Sequence, residues 1–113
     1  MSSSPLTGDD LLRTLATLAN PHRLRVVAAL TERRRYVSEL ARELGISRAL
    51  LQLHLKKLES AGLVSGHLEL SDDGKAMKYY EVTDFAVELT PRTVAAAART
   101  LSDRDGKEGE TGR

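Results

Sequence analysis

The chain has 113 residues, of which 41% are hydrophobic and 29% are charged, so we expect one small globular domain with a modest core. It contains no cysteine, which excludes disulfides, thiolate metal ligands and thiol chemistry. Because the sequence has no apolar run of about 18 residues and no leader-like start, we expect a cytoplasmic protein that neither spans a membrane nor carries a signal peptide.

The net charge of +1 conceals a basic segment. Residues 13–58 hold ten lysines and arginines against three acidic residues, whereas residues 59–113 hold seven basic and eleven acidic residues. A basic segment within a nearly neutral chain favours local contact with a polyanion. A solvated helix surface would account for the charge alone equally well.

The first predicted element is a helix that follows residues 1–6, which we expect to be disordered. Thr7 is a suitable N-cap for this helix. Apolar side chains then recur at helical spacing, at Leu11, Leu15 and Leu18.

A second helix is predicted to begin at Asn20-Pro21, since Asn is a good N-cap and Pro suits the first helical position. It runs to about Leu30 and is followed by a polar turn, residues 31–35, that contains three consecutive arginines. These arginines are expected either to contact phosphate or to lie in a solvated loop. We expect Arg23 to form an ion pair that links helices.

Two more helices are predicted on either side of a glycine. The first covers residues 37–44 and ends at Gly45, where a left-handed residue is wanted. Ser47 caps the second, which covers residues 47–61. Two helices joined by three or four residues that include a glycine are typical of a helix-turn-helix.

The pattern changes to alternation after the fourth helix. Residues 63–70 and 75–82 are rich in strand formers and flank a turn near 72–75, which predicts a β-hairpin. Thr90-Pro91 then predicts a last helix that runs to about Leu101, and the polar residues 102–113 are expected to be disordered.

The leucines of the fourth helix do not share one face. At about 100° per residue, Leu51, Leu55 and Leu58 form a core stripe, with His54 at its edge, where a structural hydrogen bond is favoured over a base contact. The opposite face presents Arg48, Ala49, Gln52, Leu53 and Lys56. For Leu53, packing against a neighbouring chain segment is the alternative to contact with a ligand.

This outer face has the chemistry of a reader of the DNA major groove. Arg can pair with guanine, Gln can pair with adenine, and a small or apolar side chain can touch a thymine methyl group. The start of the helix at Ser47 can bind phosphate, and Lys56 and Lys57 are phosphate candidates unless they are merely solvated.

The predicted order α-α-α-α-β-β-α is mainly α with a β-hairpin wing. Four strings, LANPHRLRVVAAL, VSELARELGIS, HLKKLESAGLV and GKAMKYYEV, resemble successive landmarks of the ArsR-type winged helix-turn-helix repressors over roughly residues 10–90. The resemblance implies a homodimeric transcriptional regulator whose dimer forms mainly through the first and last helices. Lys75 and Lys78 match the family's basic wing, although Asp72 and Asp73 lie at its tip.

The fourth helix departs from the family pattern at two positions. Leu50 replaces a common Thr, and Leu53 stands where a His is often found, so apolar contact is favoured there over base-specific hydrogen bonding. At Gln52 the family carries a Ser or another polar residue.

A metal site of the family's known types is not expected. The chain has no cysteine, the last helix carries no set of metal ligands, and His22, His54 and His67 fall on three separate elements. Neither a cofactor nor an enzymatic constellation of nucleophile, base or phosphate-binding loop is predicted.

The sequence therefore predicts a dimeric transcriptional regulator, expected to be a repressor, over residues 7–101. It would bind a double-stranded DNA operator through helix 47–61, with support from the wing at 68–80, and its effector is not indicated. A winged-helix protein–protein module that has lost DNA binding is the alternative. The predicted dimer interface consists of small and apolar residues, namely Leu11, Leu15, Leu18, Val94, Ala97 and Leu101. Packing of these residues within one chain is the alternative.

Overall fold

A computed structural model describes residues 6–102. The predictions of disorder for residues 1–6 and 102–113 lie outside this range except at Leu6 and Ser102. The elements are α1 (Gly8–Leu18), α2 (Pro21–Glu32), β1 (Arg35–Tyr36), α3 (Val37–Leu44), α4 (Arg48–Ser60), β2 (Val64–Leu70), β3 (Ala76–Val82) and α5 (Pro91–Ala98). No helix within the described residues is long and apolar enough to cross a bilayer.

The described chain divides into two compact units, residues 17–85 and residues 6–16 together with 86–102. The larger unit holds the helix-turn-helix, α3 and α4, and the wing, β2 and β3. The smaller unit holds most of α1 and all of α5. The predicted fold class, mainly α with a β-hairpin wing, is confirmed.

The predicted helix starts are confirmed by their caps. The Asn20 carboxamide oxygen accepts the backbone N–H groups of His22 and Arg23 at 2.9 and 3.2 Å. The Ser47 hydroxyl accepts the backbone N–H of Leu50 at 3.0 Å, and the Thr90 hydroxyl accepts that of Thr93 at 3.1 Å. Each cap satisfies N–H groups that have no carbonyl partner in the first turn.

The turn of the helix-turn-helix depends on a glycine. Gly45 has φ 69° and ψ 32°, a left-handed conformation that costs other residues energy. Its backbone N–H and that of Ile46 reach back to the carbonyls of Arg42 and Ala41, which ends α3 and directs the chain into α4.

The sheet contains one strand more than the predicted order. β1 pairs antiparallel with β3, which pairs antiparallel with β2, so the order is β1-β3-β2. In β1, Arg35 lies opposite Tyr80 and Tyr36 lies opposite Tyr79. The predicted order α-α-α-α-β-β-α omitted this strand because its two residues lack an apolar alternation and depend on β3, far along the chain, for their pairing.

The core of the larger unit lies between α2, α3, α4 and the base of the sheet. Leu51, Leu55 and Leu58 are at most 1% exposed, so the predicted core stripe of α4 is confirmed. They pack with residues from every neighbouring element, namely Val26, Leu30, Leu40, Leu63, Val64 and Tyr80. Each such aliphatic side chain contributes about 1.5–3 kcal/mol on burial.

The smaller unit brings the start of α1 against α5. The Gly8 N–H donates to the Thr100 hydroxyl at 2.7 Å, and the Ser102 N–H donates to the Asp9 carboxylate at 3.2 Å. At Gly8 a Cβ atom would overlap the Ala97 carbonyl and the Leu101 side chain, so glycine permits this close approach. The α-helix ends at Ala98, earlier than the predicted Leu101, because the next three N–H groups bond to carbonyls three residues back.

Candidate nucleic-acid interface

The outward face of α4 is open over its whole length. All seven predicted contact residues of this segment are exposed, namely Ser47, Arg48, Ala49, Gln52, Leu53, Lys56 and Lys57. Because the core stripe occupies the opposite face of α4, this face is accessible to a ligand.

A groove of about 250 Å³ separates α4 from the wing. Arg48 and Gln52 line it from α4, Ser38 lines it from the start of α3, and Lys78 lines it from β3. Two residues predicted to contact bases, Arg48 and Gln52, and one of the two predicted wing lysines, Lys78, therefore line the same groove. Lys75 and the predicted contact residues further along α4 do not line it.

Lys78 is supported by an aromatic ring. Its ammonium lies 5.3 Å from the centroid of Tyr80, a distance at which a cation is attracted to the ring. The Tyr80 ring in turn covers Gly66 on the paired strand, where a Cβ would approach the ring to 2.8 Å. The glycine thus makes room for the ring, and the ring supports the lysine beside the groove.

Asp73, at the acidic tip of the wing, stabilises the turn between β2 and β3. The Asp73 carboxylate accepts a hydrogen bond from the Ser71 hydroxyl, which lowers the pKa of Asp73, and it also faces the Lys75 N–H at 3.4 Å. The Gly74 N–H donates to the Ser71 carbonyl at 2.9 Å. Asp73 therefore has a structural role in the turn, while Lys75 remains exposed.

The three consecutive arginines do not form a phosphate-binding set. Arg35 is only 4% exposed and its guanidinium binds both carboxylate oxygens of Glu43, at 2.8 and 3.1 Å. Hydrogen bonds from Arg35 lower the pKa of Glu43, and Glu43 raises that of Arg35. Arg33 pairs with Glu39 at 2.6 Å. Both expectations for this segment, phosphate contact or a solvated loop, are wrong for Arg35.

His54 forms the structural hydrogen bond that its position predicted. Its Nδ1 accepts the Arg23 Nε–H at 3.1 Å, and the Arg23 Nη1 donates to the Thr17 carbonyl at 3.1 Å. Arg23 thus links helices as expected, but through neutral acceptors and not through the ion pair that we predicted. The His22 ring lies 5.3 Å from that of His54, a proximity that the separation of the histidines along the chain did not indicate.

The environment of His54 keeps it neutral. Burial, and next the charge of Arg23, lower its pKa from the ordinary value of 6.5. Since Nδ1 accepts a hydrogen bond, the proton of the neutral ring lies on Nε2, which is buried and without a partner within residues 6–102. Within residues 6–102 the histidine pair is not part of any cluster of three or more potential metal ligands.

Acid is therefore expected to destabilise the fold through His54. The unfolded chain takes up a proton at this position near pH 6.5, whereas the folded chain resists it, so this contribution is complete above pH 6.5 and is lost as the pH falls below it. Thermal unfolding between about pH 7.5 and 5.2, above the range of most carboxylates, should show the melting temperature falling in the wild type. The fall should be smaller in His54→Gln, and equal falls in both proteins would contradict this assignment.

The residues of the predicted dimer interface fall into two groups. Leu11 and Ala97 are buried and Leu18 packs on the core of the larger unit, so packing within the chain, the alternative left open above, applies to these three. Leu15, Val94 and Leu101 remain exposed, and so does Leu12, three residues before Leu15 on α1.

Several leucines are exposed on α4 and the wing. Leu53 is 60% exposed, and Leu68 and Leu70 are each 73% exposed. Packing of Leu53 against a neighbouring segment of the same chain, the alternative considered for it, is therefore wrong for the described residues.

The family model and the relatives that match this chain are all described as helix-turn-helix proteins. The sequence profile of a family described as a helix-turn-helix domain matches residues 18–67. The uncharacterized HTH-type transcriptional regulator MJ0229 of Methanocaldococcus jannaschii is 34% identical over 76 residues, which are 67% of this chain and 79% of that protein. The uncharacterized HTH-type transcriptional regulator Rv0081 of Mycobacterium tuberculosis is 37% identical over 89 residues, 78% of this chain and 75% of that one.

Solved structures share the fold. The crystal structure of Rv0081 has a TM-score of 0.58 at 27% identity, covering 94% of this chain and 97% of that chain. The homodimeric winged helix-turn-helix DNA-binding domain of Mb0332 from Mycobacterium bovis, described as a possible ArsR-family regulator, has a TM-score of 0.56 at 21% identity. That match covers 93% of this chain and 85% of the other.

Proposed function

Since this chain belongs to the helix-turn-helix transcriptional regulators, we propose that it is of the ArsR winged helix-turn-helix type, binds a double-stranded DNA operator as a homodimer and represses transcription. The observation that carries the proposal is the groove in which Arg48 and Gln52 of α4 converge with Lys78 of the wing. Helix 47–61 reads bases in the major groove, and the wing, residues 68–80, contacts the adjacent backbone.

The chemistry of the outer face supports base reading. Arg48 and Gln52 carry the side chains that pair bidentately with guanine and adenine, and Leu53 is exposed as an apolar contact for a thymine methyl group. Ala49 between them lets the helix backbone approach the base edges. Repression follows if the occupied operator blocks transcription.

The distribution of charge supports phosphate contact near the same face. Arg33 and Arg35 are neutralised by carboxylates within the chain, so they contribute little to an external field. The exposed lysines and arginines on α4 itself and on the wing are Arg48, Lys56, Lys57, Lys75 and Lys78. We therefore expect the basic segment to act through α4 and not through Arg33 or Arg35.

Fluorescence anisotropy with the DNA upstream of the chain's own gene tests the proposal. A scrambled fragment of equal composition serves as the control, and both are titrated at about 50 and 200 mM salt. We expect tighter binding to the upstream fragment and, for about six to ten phosphate contacts per dimer, a loss of about 10³–10⁵ in affinity between the two salt concentrations. Equal affinity for both fragments would contradict operator binding.

We propose that the second copy binds through four exposed apolar residues of the smaller unit, Leu12, Leu15, Val94 and Leu101. The homodimeric state of the Mb0332 domain supports the dimer, and the choice of surface rests on the exposure of these four side chains. Leu15→Glu should convert the dimer to a monomer in sedimentation velocity, because it places a charge in an apolar contact. The control is Leu24→Glu, at a leucine of α2 in the larger unit that is 55% exposed and is not among these four residues. A Leu15→Glu protein that stays dimeric would contradict the assignment.

A protein–protein module that has lost DNA binding is the second candidate. The exposed Leu53, Leu68 and Leu70 favour it, since apolar side chains on α4 and the wing suit a protein partner. A stable complex with a partner protein, together with no measurable affinity for any duplex near physiological salt, would decide for it.

We further propose that regulation does not use a metal site of thiolate type, since the chain has no cysteine. Titration of the DNA complex with Zn²⁺ should leave its affinity unchanged at metal concentrations that saturate a specific site.

A further inference from the structure

The outer face of the sheet, turned away from the core, carries a row of three rings. Tyr36 of β1 lies opposite Tyr79 of β3, which lies opposite His67 of β2. The Tyr36 and Tyr79 rings meet edge to face with centroids 6.0 Å apart, and the His67 ring stacks on Tyr79 at 5.1 Å. The Arg34 guanidinium lies 4.0 Å from the Tyr79 centroid. The row therefore spans all three strands with contacts of favourable geometry.

Polar contacts join this row to the wing. The Tyr36 hydroxyl donates to the Glu69 carboxylate at 2.5 Å, and Arg34 lies 3.7 Å from the same carboxylate. The hydrogen bond to Glu69 also raises the pKa of Tyr36 above its ordinary value of 10.0. We call Arg34, Tyr36 and Glu69 the wing lock, since the carboxylate of Glu69 joins the other two residues, which both lie on the Tyr79 ring.

Tyr36 also belongs to the helix-turn-helix. It precedes the first residue of α3, and its backbone N–H donates to the Glu39 carboxylate at 3.3 Å. Tyr36 lines the groove between α4 and the wing together with Lys78. A single side chain thus connects the start of α3 with residue 69 of β2.

The wing needs such a connection. β1 pairs with β3 only at Tyr79 and Tyr80, so residues 68–70 and 76–78 form a two-stranded ribbon in the described structure. A two-stranded ribbon is marginally stable by itself, and its direction is set by the contacts at its base. The outer part of the wing, which includes Lys78, therefore depends on side chains near the third strand for its orientation.

We infer that the wing lock fixes the angle of the wing relative to α4, and that it thereby positions Lys78 for contact with the DNA backbone. The positioning of Lys78 for DNA rests on the proposed function. The effect of the wing lock on the orientation of the wing does not depend on it. Arg34, Tyr36 and Glu69 are positioning residues in this scheme, and none of them needs to touch DNA.

Tyr36→Phe tests the inference, with Tyr79→Phe as the matched control. Both changes remove one phenolic hydroxyl and keep the ring, but the Tyr79 hydroxyl has no hydrogen bond within residues 6–102, whereas that of Tyr36 binds Glu69. Amide hydrogen exchange without DNA should be faster by about 3–10-fold at residues 68–78 in Tyr36→Phe and unchanged in Tyr79→Phe. Equal exchange in the two variants would overturn the inference, whether or not the chain binds DNA.

A double-mutant cycle then tests the DNA consequence. Tyr36→Phe should weaken operator binding by about 3–10-fold in the wild type and have no further effect in Lys78→Ala, because the lock acts through that lysine. Glu69→Gln keeps an acceptor for the Tyr36 hydroxyl and should retain most of the affinity. Additive losses from Tyr36→Phe and Lys78→Ala would overturn the positioning role. Absence of DNA binding in every protein would contradict the proposed function. The amide hydrogen exchange of the two variants would then be the test of the wing lock.

Discussion

Replacing Leu55 with Ala should destabilise the protein by about 2–5 kcal/mol, whereas replacing Leu53 with Ala should change its stability by no more than about 0.5 kcal/mol. The two leucines lie two residues apart on α4, but Leu55 is 1% exposed and Leu53 is 60% exposed. The first change leaves a cavity among Leu51, Leu58 and the facing helices, and the second removes a side chain that packs on little.

The pair is a matched comparison because sequence change, helix and helix propensity are the same in both variants. Urea unfolding followed by circular dichroism gives the free energy of unfolding for each protein. The free energy of unfolding of a domain of this size is only about 5–15 kcal/mol, so the loss caused by Leu55→Ala should be a large fraction of it. Similar losses at both positions would mean that Leu53 is covered in solution, and the free face of α4 would have to be reconsidered.

The second large effect concerns sequence preference. Gln52→Ala should reduce the preference for the operator over random DNA by about 5–150-fold, since a bidentate contact with a base contributes about 1–3 kcal/mol of discrimination. Lys56→Ala should instead weaken binding to every sequence alike and reduce the slope of log affinity against log salt by about 0.9 per lost phosphate contact. Both side chains are exposed on α4, and Gln52 lies in the groove that Lys78 also lines.

The comparison is made by competition between the operator and random duplexes of equal length. Glu59→Ala is a suitable control, because Glu59 is exposed near the end of α4 and outside the predicted contact set. An equal loss for every sequence in Gln52→Ala would remove Gln52 from the base-reading role. Loss of preference for the operator in Lys56→Ala would indicate that Lys56 takes part in reading the bases.

The helices and their boundaries could be predicted because their signals are local. The caps at Asn20, Ser47 and Thr90 act within three residues, and Gly45 acts on the turn in which it lies. The division of α4 into a buried and an open face follows from the helical period alone, which is why Leu51 and Leu53 were assigned correctly to opposite faces.

The features that were missed depend on residues distant in the chain. Arg35 is buried because Glu43, eight residues later, holds its guanidinium, and nothing in a run of three arginines distinguishes the second or third from the first. The Tyr36–Glu69 hydrogen bond joins residues 33 positions apart. Strand β1 likewise exists only where β3 pairs with it.

The predicted dimer interface shows the same limit. A helical stripe tells which side chains share a face, but it does not tell whether that face meets another part of the chain or a second copy. Leu11 and Ala97 are buried within the chain, while Leu15 and Val94 on the same helices stay exposed.

The central claim is that the outer face of α4 and the wing meet DNA, and NMR mapping with the preferred duplex tests it most directly. Backbone amide shifts should change most at residues 47–57 and 75–78, with small changes in α5. Tyr36→Phe should reduce the changes in the wing more than those in α4. Shifts that cluster elsewhere, or no shifts with any duplex near physiological salt, would contradict the account.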